Sequence, residues 1–429
     1  MSALAAAEDR GTEEMEELES FRLRARAYIR ANLRPMTMEE LRLDYSRNDE
    51  EAELAGIAHE RELQRGLFDA GLAGICFPEA YGGQGLTMAH QKVFNEEIVG
   101  HDYPRRIQVP TFSPCAAVIL EFGTHEQKLR HIPAILRGDE LWMQFLSEPS
   151  GGSDVAGALT TAVRDGEQWV LNGSKVWTTG AWWSDWGLCL ARTNWDVPKH
   201  RGLTVFMLPI HQPNVEVHRI EMLNGSREFC QEFLTDVVVP DTDRVGEVDD
   251  GWTVGTRWMF HERMLFNSPY VTEPVGITHG SMDAGLVATV AREAGLLDDT
   301  ATQERIGEAR MLELVGDALS KRISESIATG TLSDQAAALV RLFKGTAQLR
   351  VNTLVFEAAG SAGAAWSGDG PSARAALNFI MRQGGAIGGG TLEMARNVIS
   401  ERVLAMPRER RLDKDVPFRD VPRGRPNTS

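Results

Sequence analysis

The sequence predicts an α+β protein with an N-terminal all-α domain, a middle antiparallel β domain and a C-terminal helical bundle. Two observations lead there. Apolar residues recur every three to four positions in both outer parts of the chain, and short alternating runs with Asp-Gly and Asn-Gly turn signals fill the middle. Length is a third, because 429 residues exceed what one hydrophobic core organises. The boundaries read as 1–140, 141–248 and 249–410, with 411–429 a polar, proline-bearing tail or subunit-contact arm.

In the first region Leu18, Phe21, Ala25, Tyr28, Ile29 and Leu33 share a helical face that Pro35 ends. Further helices are expected over 51–70, 89–99, 114–120 and 126–136. In the middle region Asp165-Gly166 reads as a hairpin turn, and Asn172-Gly173 as a second turn separating 169–171 from 176–177. Strands are expected over 187–191, 203–208, 215–220 and 232–239, the last stopped by Pro240. Helical patterns return over 252–266, 279–294, 302–328, 333–359, 373–381 and 391–404, which suits an antiparallel bundle.

Composition then removes several classes of function. Sixty-one acidic against 45 basic side chains give a net charge of −16, which argues against a nucleic-acid or anionic-membrane surface and makes any phosphate site local. No apolar run reaches bilayer-spanning length. Cys76, Cys115, Cys189 and Cys230 form no CxxC pair, and no His/Cys cluster has metal-ligand spacing, so reduced thiols and no metal are expected. The chain begins Met-Ser-Ala-Leu and turns acidic at Glu8, Asp9, Glu13 and Glu14, without a basic n-region, so a cytoplasmic location is expected.

Two segments carry the chemistry: Leu146-Ser147-Glu148-Pro149-Ser150-Gly151-Gly152-Ser153-Asp154, and Leu171-Asn172-Gly173-Ser174-Lys175-Val176-Trp177-Thr178-Thr179. Taken singly, Ser147 fits a turn or N-cap and Trp177 fits a core position. Together the segments resemble the two central signatures of the acyl-CoA dehydrogenase family. Other blocks follow in family order: Gly71-Leu72-Ala73-Gly74-Ile75 with Tyr81-Gly82-Gly83, Phe122-Gly123-Thr124 with Glu126-Gln127-Lys128, and Gly390-Thr391 with Glu393, Arg396-Asn397 and Glu401-Arg402. The resemblance spans about 18–410 and implies FAD as cofactor and an acyl-CoA thioester as substrate.

By that resemblance Gln144, Leu146, Ser147, Gly152, Ser153, Trp177 and Thr179 hold the flavin. Ser147 and Thr179 meet its polar edge, Trp177 stacks on the ring face away from substrate, and Ser153 meets both cofactor phosphate and substrate. A second set implied is Arg292, Glu357, Gly360, Ser361, Thr391 and Glu393, with the Gly360–Gly363 loop reaching the FAD of a neighbouring subunit. Oligomerisation follows, as a homotetramer or a heterotetramer with a homologous chain. Glu357 stands where the family usually has an amide, and Arg292-Glu293-Ala294-Gly295 lacks the family's aromatic residue.

Dehydrogenation between Cα and Cβ needs a base at Cα and donors for the enolate oxygen. The family's common base position, just before the Gly-Thr pair, is Gly389 here, which leaves only its N–H to hold the thioester oxygen. Some relatives, such as isovaleryl-CoA dehydrogenase, carry the base on the first helix after the β domain, before an arginine. That pattern reads His261-Glu262-Arg263, making Glu262 the candidate base and Arg263 a CoA contact. An exposed helix carboxylate is the plain alternative for Glu262, and a packed helix residue is the reading of His261. The resemblance further implies an electron-transferring flavoprotein as oxidant. Competing readings are an FAD-binding subunit that relies on its partner, and an oxidase or monooxygenase on the same fold.

Overall fold

The computed structural model describes residues 15–37, 49–263, 268–274, 284–365, 370–410 and 413–422. The expected acidic start, the ends at 264–266 and 279–283 of two expected helices, and 411–412 and 423–429 of the tail lie outside the described residues. The chain forms two units, Met1–Ile277 with Leu412–Ser429, and Thr278–Arg411.

The first unit begins with helices. α1 (Leu18–Asn32) buries Phe21, Ala25 and Ile29 against Val93 and Phe94 of α3 (Met88–Glu97). α2 (Glu50–Asp69) starts at Asp49, whose side chain accepts from Ala52 N. The helix expected over 114–120 is larger and irregular: α4 (Arg105–Pro110), a π-wound turn Thr111–Ala116 and α5 (Ala117–Phe122). Pro110 and Pro114 lack the N–H that continues a helical ladder, and Ser113 leaves helical geometry at φ −138° and ψ 109°. α6 (His125–Arg137) opens with a Thr124/Gln127 capping box and closes on Gly138 at φ 82°.

The strands are β1 (Trp142–Phe145), β2 (Thr161–Asp165), β3 (Gln168–Thr179), β4 (Trp186–Arg192), β5 (Leu203–Pro209), β6 (Val215–Arg219), β7 (Phe229–Pro240) and β8 (Arg244–Val245). Their order is β6-β7-β3-β2-β4-β5-β8, with β1 beside β4. The sheet is mixed, not antiparallel as expected, because β1 and β2 both pair with β4 in parallel. The β2–β3 hairpin and the loops around it supply the crossover that a parallel pair needs.

Asp165-Gly166 is the turn expected between β2 and β3, with Gly166 at φ 62°. Asn172-Gly173 is not a turn. β3 runs straight through it with a register shift against β7. Asn172 exchanges hydrogen bonds with Asp236 of β7 at 3.0 and 2.9 Å, and a Cβ on Gly173 would sit 2.5 Å from Thr160 Oγ1. Long-range pairing and close backbone approach thus override the local turn signal.

α7 (Gly251–Arg263) packs Val254 and Trp258 into the core shared with α5, α6, β4 and β5. Near the chain end, residues 413–422 are not a free tail: Phe418 is 2% exposed, and its N–H binds Val197 O at 2.9 Å.

The second unit is helical: α8 (Ala284–Glu293), α9 (Thr300–Ala328), α10 (Ala337–Ala365), α11 (Pro371–Met381), α12 (Gly384–Ile387) and α13 (Leu392–Val398). Its core joins Leu286, Val287 and Val290 of α8 to Val351, Leu354 and Val355 of α10. α10 is kinked at Gly360, φ 54° and ψ −133°, a conformation that suits glycine. The helix expected over 391–404 is shorter, since winding turns π-like over Ile399–Val403. No described helix is long and apolar enough to cross a membrane.

Candidate active site

In the first unit the segment 144–147 runs beside the end of β3. Ser147 O accepts from Val176 N at 3.0 Å, Gln144 O from Thr178 Oγ1 at 3.3 Å and Leu146 O from Lys175 Nζ at 3.3 Å. A Cβ on Gly152 would lie 3.2 Å from Ser147 Oγ, so the glycine lets the loop fold over that hydroxyl. The structure thereby gathers Gln144, Leu146, Ser147, Gly152, Trp177 and Thr179, with Ser153 following on the exposed loop.

Trp177 is the most telling of these. It sits at the second register shift between β3 and β7, carries φ 68°, and is 54% exposed, with its ring edge-on to Phe229 at 5.9 Å. A left-handed tryptophan costs about 1–3 kcal/mol, and a large ring more than half in water recovers little of that from the isolated fold. The bulge brings Trp177 and Thr179 to the exposed side, with Val176 and Thr178 buried. A flat ring, a hydroxyl beside it and a glycine-lined loop fit a planar aromatic group with a polar edge and phosphates, as FAD is.

Behind that face lies a charged core that sequence reading did not assign. Lys175 is fully buried, and its ammonium binds Glu148 Oε1 at 2.8 Å and Leu190 O at 2.6 Å. Glu148 also accepts from Leu159 N and Thr160 N. Burial works against ionising Glu148, but Lys175 and these donors hold its pKa below the usual carboxylate value. Glu232 pairs across from Lys175 and is equally buried; it accepts from the Thr178 hydroxyl at 3.0 Å, and desolvation pushes its pKa up to about 8. One lysine thus keeps one carboxylate ionised and leaves the other neutral.

A pH dependence follows. Glu232 ionises in the unfolded chain near 4.5 but in the fold only near 8, so its contribution to stability is full below 4.5 and is lost as pH rises toward 8. Glu232→Gln removes the loss. Its melting temperature relative to wild type is expected to rise between about pH 5 and about pH 8. Thermal melts at both values test this, and a difference that stays constant contradicts it.

Glu262 lies near the end of α7, one turn beyond Trp258, whose Nε1 donates to Gln144 Oε1 at 2.5 Å. That bond ties the helix carrying the candidate base to the strand carrying the candidate flavin residues. Glu262 is half-buried and takes no hydrogen bond from any described residue. Desolvation raises its pKa, against a weaker opposing pull from the exposed Arg263. Its carboxylate also acts on the buried Cys115 thiol of the π-wound turn, whose pKa is raised mainly by burial. His261 is packed, with Nε2 2.8 Å from Glu121 Oε1. Burial opposes ionisation of Glu121, but Arg257 and His261 hold its pKa down to about 2.

In the second unit Gly389 and Gly390 have φ 66° and 92°, and Thr391 caps α13 through Met394 N. Glu393 is exposed and pairs with Arg396 at 3.3 Å. Glu357 pairs with Arg305, while Gly360, Ser361 and Arg292 are exposed. Sequence reading missed Arg341 of α10. Its guanidinium binds Gly385 O and Gly388 O at 2.9 Å and Gly390 O at 3.1 Å. In a trans peptide the N–H points opposite the C=O, so anchoring Gly388 O aims the Gly389 N–H away from Arg341.

Comparison with known proteins agrees with the sequence reading of the family. The acyl-CoA dehydrogenase N-terminal domain family matches residues 15–139 and the acyl-CoA dehydrogenase middle domain family matches 144–237. Acyl-CoA dehydrogenase IpdE1 of Mycobacterium tuberculosis is 31% identical over 401 residues, 92% of this chain and 99% of the relative. Acyl-CoA dehydrogenase FadE34 of the same organism is 33% identical over 359 residues, 83% of this chain, and the match spans 48% of that longer relative. Among solved structures, the Tcur3481-Tcur3483 steroid ACAD superposes with a TM-score of 0.70 at 25% identity, covering 92% of this chain and 100% of that one. The chain therefore belongs to the acyl-CoA dehydrogenase family and is an oxidoreductase of that class.

Proposed function

We propose that this acyl-CoA dehydrogenase uses FAD and acts on bulky, polycyclic acyl-CoA thioesters, with Glu262 as the base. The observation that carries the cofactor is the exposed Trp177, held at φ 68° beside Thr179. FAD, when bound there, supplies the hydride acceptor for Cβ. Trp177 covers one ring face, and Ser147 and Thr179 orient the polar edge. Glu262 is the group proposed to take the α proton onto its carboxylate. Within the second unit, the Gly389 N–H is the donor that the family resemblance proposes for a thioester oxygen.

Support for a bulky substrate comes from the named steroid relative and from α7 itself. Gly255 lies two turns before Glu262 on the same helix face and is buried, yet beyond its chain neighbours and its own helix backbone no described heavy atom lies within 4 Å of where its Cβ would be. A screen of steroid, branched and straight-chain acyl-CoAs under anaerobic conditions tests the reading. Flavin bleaching fastest with a straight short chain contradicts the substrate class. Electron-transferring flavoprotein is the proposed oxidant, and oxidation by oxygen at the same rate contradicts that part.

The proposed assembly is a tetramer, with a homologous second chain as the specific alternative to four identical ones. Support for the alternative is the solved relative's designation, which joins two names, Tcur3481 and Tcur3483. Flavin content of the chain purified alone and with such a partner decides between them.

Arg341 supports the oxyanion role. Arg341→Met frees three carbonyls of the glycine turn and is expected to lower kcat about tenfold or more, less than the loss of an entire oxyanion donor. Steady-state kinetics check this, with Arg341→Lys expected to recover part of the rate.

A further inference from the structure

We propose that Asp413–Pro422 is a strap that sets the shape of the phosphate-facing loop, with Phe418 and Lys199 as positioning residues. The inference rests on the flavin reading above and concerns the turn after Ser153. Two side chains fix that turn. Arg192, fully buried, donates to Ala156 O at 2.6 Å, Ala158 O at 3.0 Å and Lys199 O at 3.1 Å. Lys199 Nζ lies 3.0 Å from both Asp154 carboxylate oxygens, and a Cβ on Gly157 would sit 2.7 Å from Asp154 Oδ2. The turn is therefore folded tightly around its own aspartate.

The strap covers both side chains. The Phe418 ring lies 3.8 Å from the Arg192 guanidinium carbon and stacks on Trp195 at 5.4 Å and 24°. The Phe418 and Arg419 N–H groups bind Val197 O and Trp195 O at 2.9 and 3.0 Å, pairing the strap with the segment that leads to Lys199. Asp413 meets Lys199 at 3.1 Å, so the lysine bridges strap and loop. Without Phe418 the Arg192 guanidinium is open to water, which competes for the loop carbonyls. The loop then samples more shapes, and any phosphate it receives must order it again.

The test uses the full chain, a chain ending at Arg410, Phe418→Ala and Phe418→Tyr. FAD titration of apoprotein is expected to show a Kd about tenfold higher for Phe418→Ala and for the shortened chain, with Phe418→Tyr close to wild type. With saturating FAD, KM for acyl-CoA rises while kcat stays within about threefold. Unchanged Kd and KM, or a lower apoprotein melting temperature as the only effect, overturns the proposal. If the wild-type apoprotein takes up no FAD, the flavin reading fails. The strap is then judged by hydrogen exchange, where faster exchange of the 154–158 amides in Phe418→Ala supports it and unchanged exchange overturns it.

Discussion

Glu262→Gln is expected to retain FAD and acyl-CoA binding but to slow anaerobic flavin reduction by about 10²–10⁴-fold, the usual worth of a general base. The amide has nearly the carboxylate's shape, and no described residue donates a hydrogen bond to Glu262, so the fold loses little. The effect arises because desolvation raises the carboxylate's basicity, and Gln offers no site for the proton. Single-turnover reduction separates this from substrate binding. A rate equal to wild type with the best acyl-CoA contradicts the assignment and moves the search for the base to a partner subunit.

The second large effect is on stability. Lys175→Met is expected to cost about 3–5 kcal/mol, because it leaves the Glu148 carboxylate buried without its cation. It also removes the donor to Leu146 O, in the segment that leads to Ser147, so flavin content is expected to fall with stability. Adding Glu148→Gln removes the stranded charge and is expected to recover a large part of the loss, since an amide still accepts from Leu159 N or Thr160 N. Urea unfolding of the single and double variants measures this. A double variant no more stable than Lys175→Met contradicts the ion-pair explanation.

The residues proposed to face the flavin could be named from sequence because they are contiguous: Ser147 to Asp154 and Lys175 to Thr179 each form one local segment. Helices such as α2, α6 and α9 were legible for the same reason, their apolar spacing being local. What failed was set by distant partners. Asn172-Gly173 reads as a turn until Asp236 and Thr160 are known to lie against it. The Lys175–Glu148 pair needs the strand register, and the hold of Arg341 on the glycine turn needs α10 placed beside residues far along the chain. The strap was read as a polar tail because the one aromatic residue that anchors it, Phe418, stands in a run of charged residues and prolines. Glu262 was named from the family resemblance, and the packing of α7 leaves it half-buried with its pKa raised by desolvation.

The central claim is that the face made by Ser147, Gly152, Trp177 and Thr179 holds FAD that an acyl-CoA reduces. It is tested most directly by purifying the protein, alone and with a homologous partner chain, and adding a polycyclic acyl-CoA without oxygen while following the flavin absorbance. The expected result is a yellow protein with noncovalent FAD that bleaches on mixing, and a Trp177→Ala variant that binds FAD more weakly. A protein that remains colourless after reconstitution with FAD under both conditions contradicts the claim, as does a flavoprotein that no acyl-CoA bleaches.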